Sequence, residues 1–154
     1  MDKSIHISQM AHIIEEVLKN GASFEFTPRG ISMRPSVVDG DVAYIKKPSF
    51  PLKKYDIVLY RRNDHTVVLH RVVGRIGKSY IMAGDAQSYI EYPIDETDII
   101  GVVSGVSRGG KAVKCLRSNA FVYLFFRDIR LWYKKARLYA SVFRKKFIKR
   151  GKTR

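Results

Sequence analysis

Short segments rich in β-branched and aromatic residues, separated by turn formers, fill the chain from Phe24 to about residue 106 and most constrain its fold. The clearest runs are 42–45, 56–60, 67–73, 79–82 and 99–103. Between them stand pairs that favour turns, such as Asp39-Gly40, Asn63-Asp64 and Gly84-Asp85. Apolar runs of this length with this punctuation are typical of strands. The sequence therefore predicts a mainly β domain built of hairpins.

Two helices are predicted to flank the strands. Residues 8–20 are predicted to form a short amphipathic helix, whose apolar positions are Met10, Ile13, Ile14, Val17 and Leu18. Ser8 is a candidate N-cap, and Gly21 can end the helix in the left-handed conformation. From about residue 118, apolar and aromatic residues again recur at helical spacing, and basic residues occupy the other face. We divide the chain into a β domain, 1–117, and a basic aromatic amphipathic tail, 118–154.

The positive charge of the chain is concentrated in its last 44 residues, which include this tail. Residues 111–154 contain 15 Lys and Arg and one acid, Asp128, whereas residues 1–110 contain 14 basic and 13 acidic residues. A basic helix with an aromatic face suits an anionic membrane surface, and we predict binding there through residues 118–150. The alternative is a helix packed on the β domain with its basic face in solvent. No nucleic-acid partner is expected, because a neutral body offers no extended basic groove.

Other features bear on location and cofactors. Cys115 is the single cysteine, so no internal disulfide is expected. Residues 1–21 lack the continuous apolar core of a secretory signal, and the longest apolar run, 120–126, stops at Arg127, too short for a spanning helix. We expect a cytoplasmic, peripherally membrane-associated protein with no cofactor and no metal.

A serine and a histidine are the first candidates for chemistry. Ser32 lies in a loop between Gly30 and Pro35, where a serine can equally be a turn former. His70 interrupts an apolar strand, and alternation places it on one face with Val68 and Val72. A strand histidine is often only a core residue, yet its ordinary pKa of about 6.5 also suits a general base.

The order of motifs around these residues resembles signal peptidase I and the LexA-type serine peptidases over residues 27–106. The boxes are G-x-S-M-x-P at 30–35, D-G-D-V at 39–42, D-I-V at 56–58, H-R-V at 70–72, A-G-D at 83–85 and I-G-V-V at 100–103. The resemblance implies a folded β-sheet domain with Ser32 as nucleophile. The base of this family stands just before R-V, so it would be His70, as in the endoplasmic-reticulum and archaeal type. Asp85 would be the third member, orienting the base or supporting the active-site loop, unless it only forms a turn.

Several positions depart from the family pattern. Gly30 stands where many signal peptidases have a serine that stabilises the oxyanion, so backbone amides must form the oxyanion hole. Tyr55 replaces a glycine before D-I-V, and Ala86-Gln87 replaces the asparagine after the aspartate box. The second acid of the histidine type has two candidates here, Glu91 and Asp95. Asp41 is expected to cap a turn.

Two functions remain open. The first is a serine endopeptidase of the signal-peptidase type that cleaves signal or leader segments from peptides or preproteins, without the usual N-terminal membrane anchor. The second is a catalytically silent relative that binds peptide or a membrane surface. A self-cleaving repressor is not expected, because the 31 residues before Ser32 leave no room for a DNA-binding domain.

Overall fold

An antiparallel β-sheet, with one helix before it and helical residues after it, makes up the described part of the protein. The computed structural model describes residues 3–113, 129, 131–132 and 134–144. The elements are helix α1 (Lys3–Lys19) and strands β1 (Phe24–Phe26), β2 (Val42–Lys46), β3 (Ile57–Arg61), β4 (Val67–Ile76), β5 (Ser79–Ala83), β6 (Glu91–Ile94), β7 (Ile99–Arg108) and β8 (Lys111–Ala112). The predicted mainly β fold class is confirmed.

All described strand pairs are antiparallel, in the order β1-β2-β7-β3-β4-β5-β6, and β8 pairs with β7. The five predicted strand runs correspond to β2, β3, β4, β5 and β7. Strands β1, β6 and β8 were not among these runs. They have three, four and two residues, which is too short for an alternating pattern to stand out.

Alternation along β3 separates two apolar clusters. Ile57 and Leu59 belong to the cluster that contains Ala11, Ile14 and Leu18 of α1. Their neighbours Val58 and Tyr60 face a second cluster, with Val72, Tyr80 and Met82. Helix α1 thus covers one side of the sheet. It runs over Lys3–Lys19 where the sequence predicted 8–20, and Gly21 ends it with a left-handed φ of +80°, as predicted.

The helical residues near the C-terminus pack on the sheet. Residues 129, 131–132 and 134–144, called here the C-terminal helical segment, are helical. Leu131 is 1% exposed and lies in a third cluster with Val73, Ile81 and Ala83 of β4 and β5. The rest of the predicted tail, 118–128, 130, 133 and 145–154, lies outside the described residues, and the boundary at 117 remains a prediction. None of the described helices is long and apolar enough to cross a membrane.

Gly101 of β7 lies where the sheet and α1 pack closely together. A Cβ atom at this position would lie 2.4 Å from Cγ2 of Ile45 and 2.9 Å from Cδ1 of Leu18. We expect Gly101→Ala to lower the free energy of unfolding by about 1–3 kcal/mol, because these buried side chains must move. Urea denaturation measures the change. Gly105→Ala is the matched control, since its nearest atom would be Cδ2 of Tyr44 at 3.6 Å; equal losses in the two variants would contradict the steric explanation.

Candidate active site

Ser32 lies in a compact turn that follows β1. The Val37 amide donates to the Met33 carbonyl at 3.0 Å, and the Arg34 amide donates to the Ile31 carbonyl at 3.2 Å. Met33 and Val37 are buried in the cluster beneath α1. These apolar residues fasten the turn to the core, so that Ser32 stays half-buried at its surface.

Ser32 and His70 line the same cleft. This cleft has a volume of about 390 Å³, and its lining also includes Gly30, Ile31, Arg62, Val68, Ala86, Gln87 and Tyr89. A second cleft of about 400 Å³ shares Gly30, Ser32 and Val68 with the first and is otherwise lined largely by apolar residues from 26–38 and 67–69. Ser32 therefore stands where two adjoining clefts meet.

The His70 ring is buried against a carboxylate and a phenol. Its Nδ1 lies 3.2 Å from Oε1 of Glu91 and 3.0 Å from Oη of Tyr60. The Tyr60 hydroxyl donates its proton to Oε2 of Glu91 at 2.6 Å, so its oxygen can only accept from His70. This network assigns the ring proton to Nδ1 and leaves a lone pair on Nε2. A neutral histidine in this tautomer can accept a proton through Nε2.

Arg62 holds Glu91 in place. Its Nε donates to Oε2 of Glu91 at 2.8 Å, and its Nη2 donates to Oε1. Burial by itself would raise the pKa of the Glu91 carboxyl. The hydrogen bonds from His70, Arg62 and Tyr60 outweigh burial and hold that pKa well below its usual range. Glu91 is therefore a carboxylate at neutral pH.

Burial, reinforced by the bond to Glu91, raises the pKa of the Tyr60 phenol. The hydrogen bond with Glu91 likewise raises the pKa of the Arg62 guanidinium. Tyr60 thus keeps its proton as a donor, and Arg62 keeps its positive charge. The cluster of Tyr60, Arg62, His70 and Glu91 has no net charge when the imidazole is neutral.

A glycine allows the Ser32 turn to meet the loop after β5. The Ala86 amide donates to the Ser32 carbonyl at 2.8 Å. A Cβ atom on Gly84 would lie only 2.6 Å from that same oxygen, closer than real Cβ contacts allow. Gly84 is therefore required for the two segments to pack, and this contact fixes the backbone on which Ser32 is mounted.

Arg71 and Asp85 form a fully buried ion pair one residue along β4 from His70. Nε of Arg71 donates to Oδ1 of Asp85 at 2.8 Å, and Nη2 donates to Oδ2 at 2.7 Å. The same guanidinium also reaches Oγ of Ser36 at 3.2 Å and the carbonyl of Tyr55 at 2.9 Å. Arg71 thereby connects β4, the Ser32 turn, the 84–87 loop and the segment before β3.

The predicted site residues thus fall into two groups. Ser32 and His70 line one cleft, whereas the carboxylate of Asp85 binds the guanidinium of Arg71. Of the two candidates for the second acid, Glu91 lies against His70, and Asp95 accepts a hydrogen bond from Ser79 at 2.6 Å. Asp41 accepts the Val38 amide at 2.9 Å, as expected of a turn cap. Within the described part of the chain, no group of three or more His, Cys, Asp or Glu residues is arranged to hold a metal ion.

Sequence reasoning missed Tyr60 and Arg62. The signal for Tyr60 lies in the strand register, because Val58 pairs with His70 and Tyr60 pairs with Val68. Alternation then puts Tyr60 and His70 on the same face of neighbouring strands. Arg62 follows the end of β3 and carries no comparable signal, since its partner Glu91 comes from β6, which is three places away in the sheet.

Comparison with known proteins points in the same direction as the motifs. Part of this chain is similar to signal peptidase I V of Bacillus subtilis (strain 168). The two are 32% identical over 88 residues, which cover 53% of this chain and 52% of the relative. The chain therefore spans about half the length of the curated relative that it matches. The similarity supports a relationship to the signal peptidase I superfamily. No family model matches the chain.

Removal of one partner from the Arg71–Asp85 pair tests its role in stability. We expect Asp85→Ala to lower the free energy of unfolding by about 3–5 kcal/mol, because it leaves a buried guanidinium without its counter-ion. Thermal and urea denaturation measure this loss. Asp39→Ala is a control on an exposed acid in the same region, which accepts a single hydrogen bond from the Gly30 amide. A loss at Asp85 no larger than at Asp39 would contradict the structural role of the pair.

Proposed function

We propose that this chain is a serine endopeptidase of the signal-peptidase type, with Ser32 as nucleophile and His70 as general base. The observation that carries the proposal is the shared cleft of Ser32 and His70, in which Nδ1 of His70 lies 3.2 Å from the Glu91 carboxylate. The partial similarity to a signal peptidase I supports the same reaction class. We assign Glu91 the role of orienting carboxylate, and Asp85 the role of supporting the active-site loop.

In the proposed reaction, Oγ of Ser32 attacks the carbonyl carbon of the scissile peptide bond. Nε2 of His70 accepts the hydroxyl proton, since a neutral serine hydroxyl is a poor nucleophile at neutral pH. The imidazolium that forms is stabilised by Glu91. Tyr60 and Arg62 act as positioning residues, because they hold the Glu91 carboxylate against Nδ1.

The tetrahedral intermediate carries a negative oxygen, which the backbone amides of the Ser32 turn are proposed to stabilise. The protonated His70 gives its proton to the leaving amine, and the peptide bond breaks to leave an acyl group on Ser32. Water then attacks this ester while His70 accepts its proton. The return of that proton to Oγ of Ser32 releases the carboxylic acid and restores the enzyme.

An extended peptide suits the cleft because one edge of β4 is open beside it. Strand β4 pairs with β3 over Val67–Arg71 but with β5 only from Arg71 onward. Among the described strands, residues 67–70 therefore have a partner on one side alone, and 67–69 line the second cleft. A substrate added along this edge would make main-chain hydrogen bonds and place apolar side chains in the cleft. Signal or leader segments of preproteins are the proposed substrates.

We also propose that the protein associates peripherally with an anionic membrane surface through residues 118–150, on the cytoplasmic side. The support is the charge of this region, because residues 118–150 contain 10 Lys and Arg and one acid, Asp128. Several basic residues near an anionic surface together give useful affinity, at about 1 kcal/mol each.

Ser32→Ala tests the nucleophile directly. We expect the variant to abolish a set of cleavages in the source cells while the protein stays folded, because the hydroxyl is required for acyl transfer. Mass spectrometry of protein N-termini, compared between wild type and variant, identifies the lost cleavage sites. Ser49→Ala is the matched control, since Ser49 is exposed and lies away from the cleft. Identical N-termini in wild type and Ser32→Ala cells would favour the catalytically silent alternative.

Glu91→Gln tests the orienting carboxylate. On a peptide that spans a Ser32-dependent site, we expect kcat to fall by roughly a hundredfold or more, because an amide cannot stabilise the imidazolium and favours the wrong tautomer. KM should change much less, since Glu91 does not line the second cleft, in which the peptide is proposed to bind. Asp95→Asn is the control and should keep near wild-type kcat. A larger loss at Asp95 than at Glu91 would contradict the assignment.

A further inference from the structure

The C-terminal helical segment has two apolar faces, and only one of them is covered. On the inner face, Leu131 is buried against β4 and β5, and Leu138 and Tyr139 pack partly buried beside it. The Tyr139 hydroxyl donates to the carbonyl of Arg75 at 3.3 Å. This face explains how the segment is held on the sheet.

The outer face exposes large apolar side chains. Ile129 is 56% exposed, Trp132 is 67% exposed and Phe143 is 53% exposed. At helical spacing these three lie on one side of the segment, with the exposed Ala136 and Ala140 between them. The packing on the sheet does not account for this stripe, and exposed aromatic residues in a row usually mark a binding surface.

Basic residues border the outer stripe. Arg137 and Arg144 are exposed, and at helical spacing they lie two turns apart along one edge of the stripe. The region 111–154 around them holds a single acid, Asp128. The first 110 residues are close to neutral. An exposed apolar stripe with a cationic border complements a surface that presents negative headgroups above an apolar layer.

We infer that the outer face of the C-terminal helical segment, formed by Ile129, Trp132 and Phe143, docks on an anionic lipid bilayer. The aromatic side chains enter the headgroup layer, and Arg137 and Arg144 meet the lipid phosphates. The inner face keeps the segment on the sheet during docking, so that the whole β domain is held at the bilayer.

This placement brings the candidate active site close to the bilayer. Nζ of Lys134 donates to the carbonyl of Ser88, and the adjacent residues Gln87 and Tyr89 line the cleft of Ser32 and His70. Docking would therefore fix the cleft beside the lipid surface, where a membrane-bound leader segment is presented. This consequence rests on the proposed peptidase function. The docking surface builds on the membrane association proposed above and does not depend on peptidase activity.

The fluorescence of Trp132 can report on docking, because Trp132 is the single tryptophan of the chain. We expect its fluorescence to shift to shorter wavelength when the full chain meets vesicles of equal parts phosphatidylcholine and phosphatidylglycerol. The shift should be much smaller with pure phosphatidylcholine and should weaken as salt is added. No shift with the anionic vesicles would overturn the inference, as would a shift with a short DNA duplex but not with vesicles.

Charge variants locate the surface. The double variant Arg137→Gln/Arg144→Gln should weaken vesicle partitioning by roughly 30-fold. The control Lys46→Gln/Lys47→Gln removes the same charge from exposed positions at the end of β2 and should have a much smaller effect. Equal effects would show that net charge alone is responsible and would overturn the docking face.

The same titrations in Ser32→Ala separate the two proposals. We expect Ser32→Ala to bind anionic vesicles as tightly as the wild type, because Ser32 lies outside the C-terminal helical segment. Vesicle binding without any Ser32-dependent cleavage would leave the docking surface standing and remove the peptidase. Ser32-dependent cleavage without vesicle binding would support the peptidase and overturn the docking surface.

Discussion

The buried pair of Arg71 and Asp85 is the interaction on which the arrangement of the candidate site depends. Neither side chain is exposed, and the guanidinium also binds Ser36 and the Tyr55 carbonyl. Four segments that are distant in sequence are thereby held around one cation. Since His70 precedes Arg71 on β4, the same residues that fix Arg71 also fix the strand position from which His70 reaches the cleft.

A second polar cluster on the opposite face of β4 complements the first. Tyr60 and Glu91 lie against Nδ1 of His70, and the guanidinium of Arg62 balances the charge of the Glu91 carboxylate. Alternation along a strand allows these two clusters to coexist, because neighbouring side chains point to opposite faces. One cluster stabilises the scaffold, and the other is suited to proton transfer.

Much of the fold was predictable, and so was part of the candidate site. The alternation of Val68, His70 and Val72 was visible in the sequence, and the two outer residues do share a cluster face. The order of the motifs identified Ser32 and His70 as candidate site residues, and both line one cleft. Glu91 was only one of two candidates beside Asp95, because their positions in the sequence carry no information about which one contacts His70. Neither Tyr60 nor Arg62 belongs to any of the sequence motifs.

The sequence by itself determined the elements and the distribution of apolar and charged residues along them. Short alternating segments indicated strands, a periodic apolar stripe indicated α1, and the C-terminal region was basic and aromatic. These properties depend on nearest neighbours and on helical or strand periodicity. Only the tertiary structure decided that Asp85 binds Arg71, that Glu91 lies against His70, and that Leu131 faces the sheet while Trp132 faces outward. Such pairings depend on which strands become neighbours, and that is set by the packing of the whole sheet.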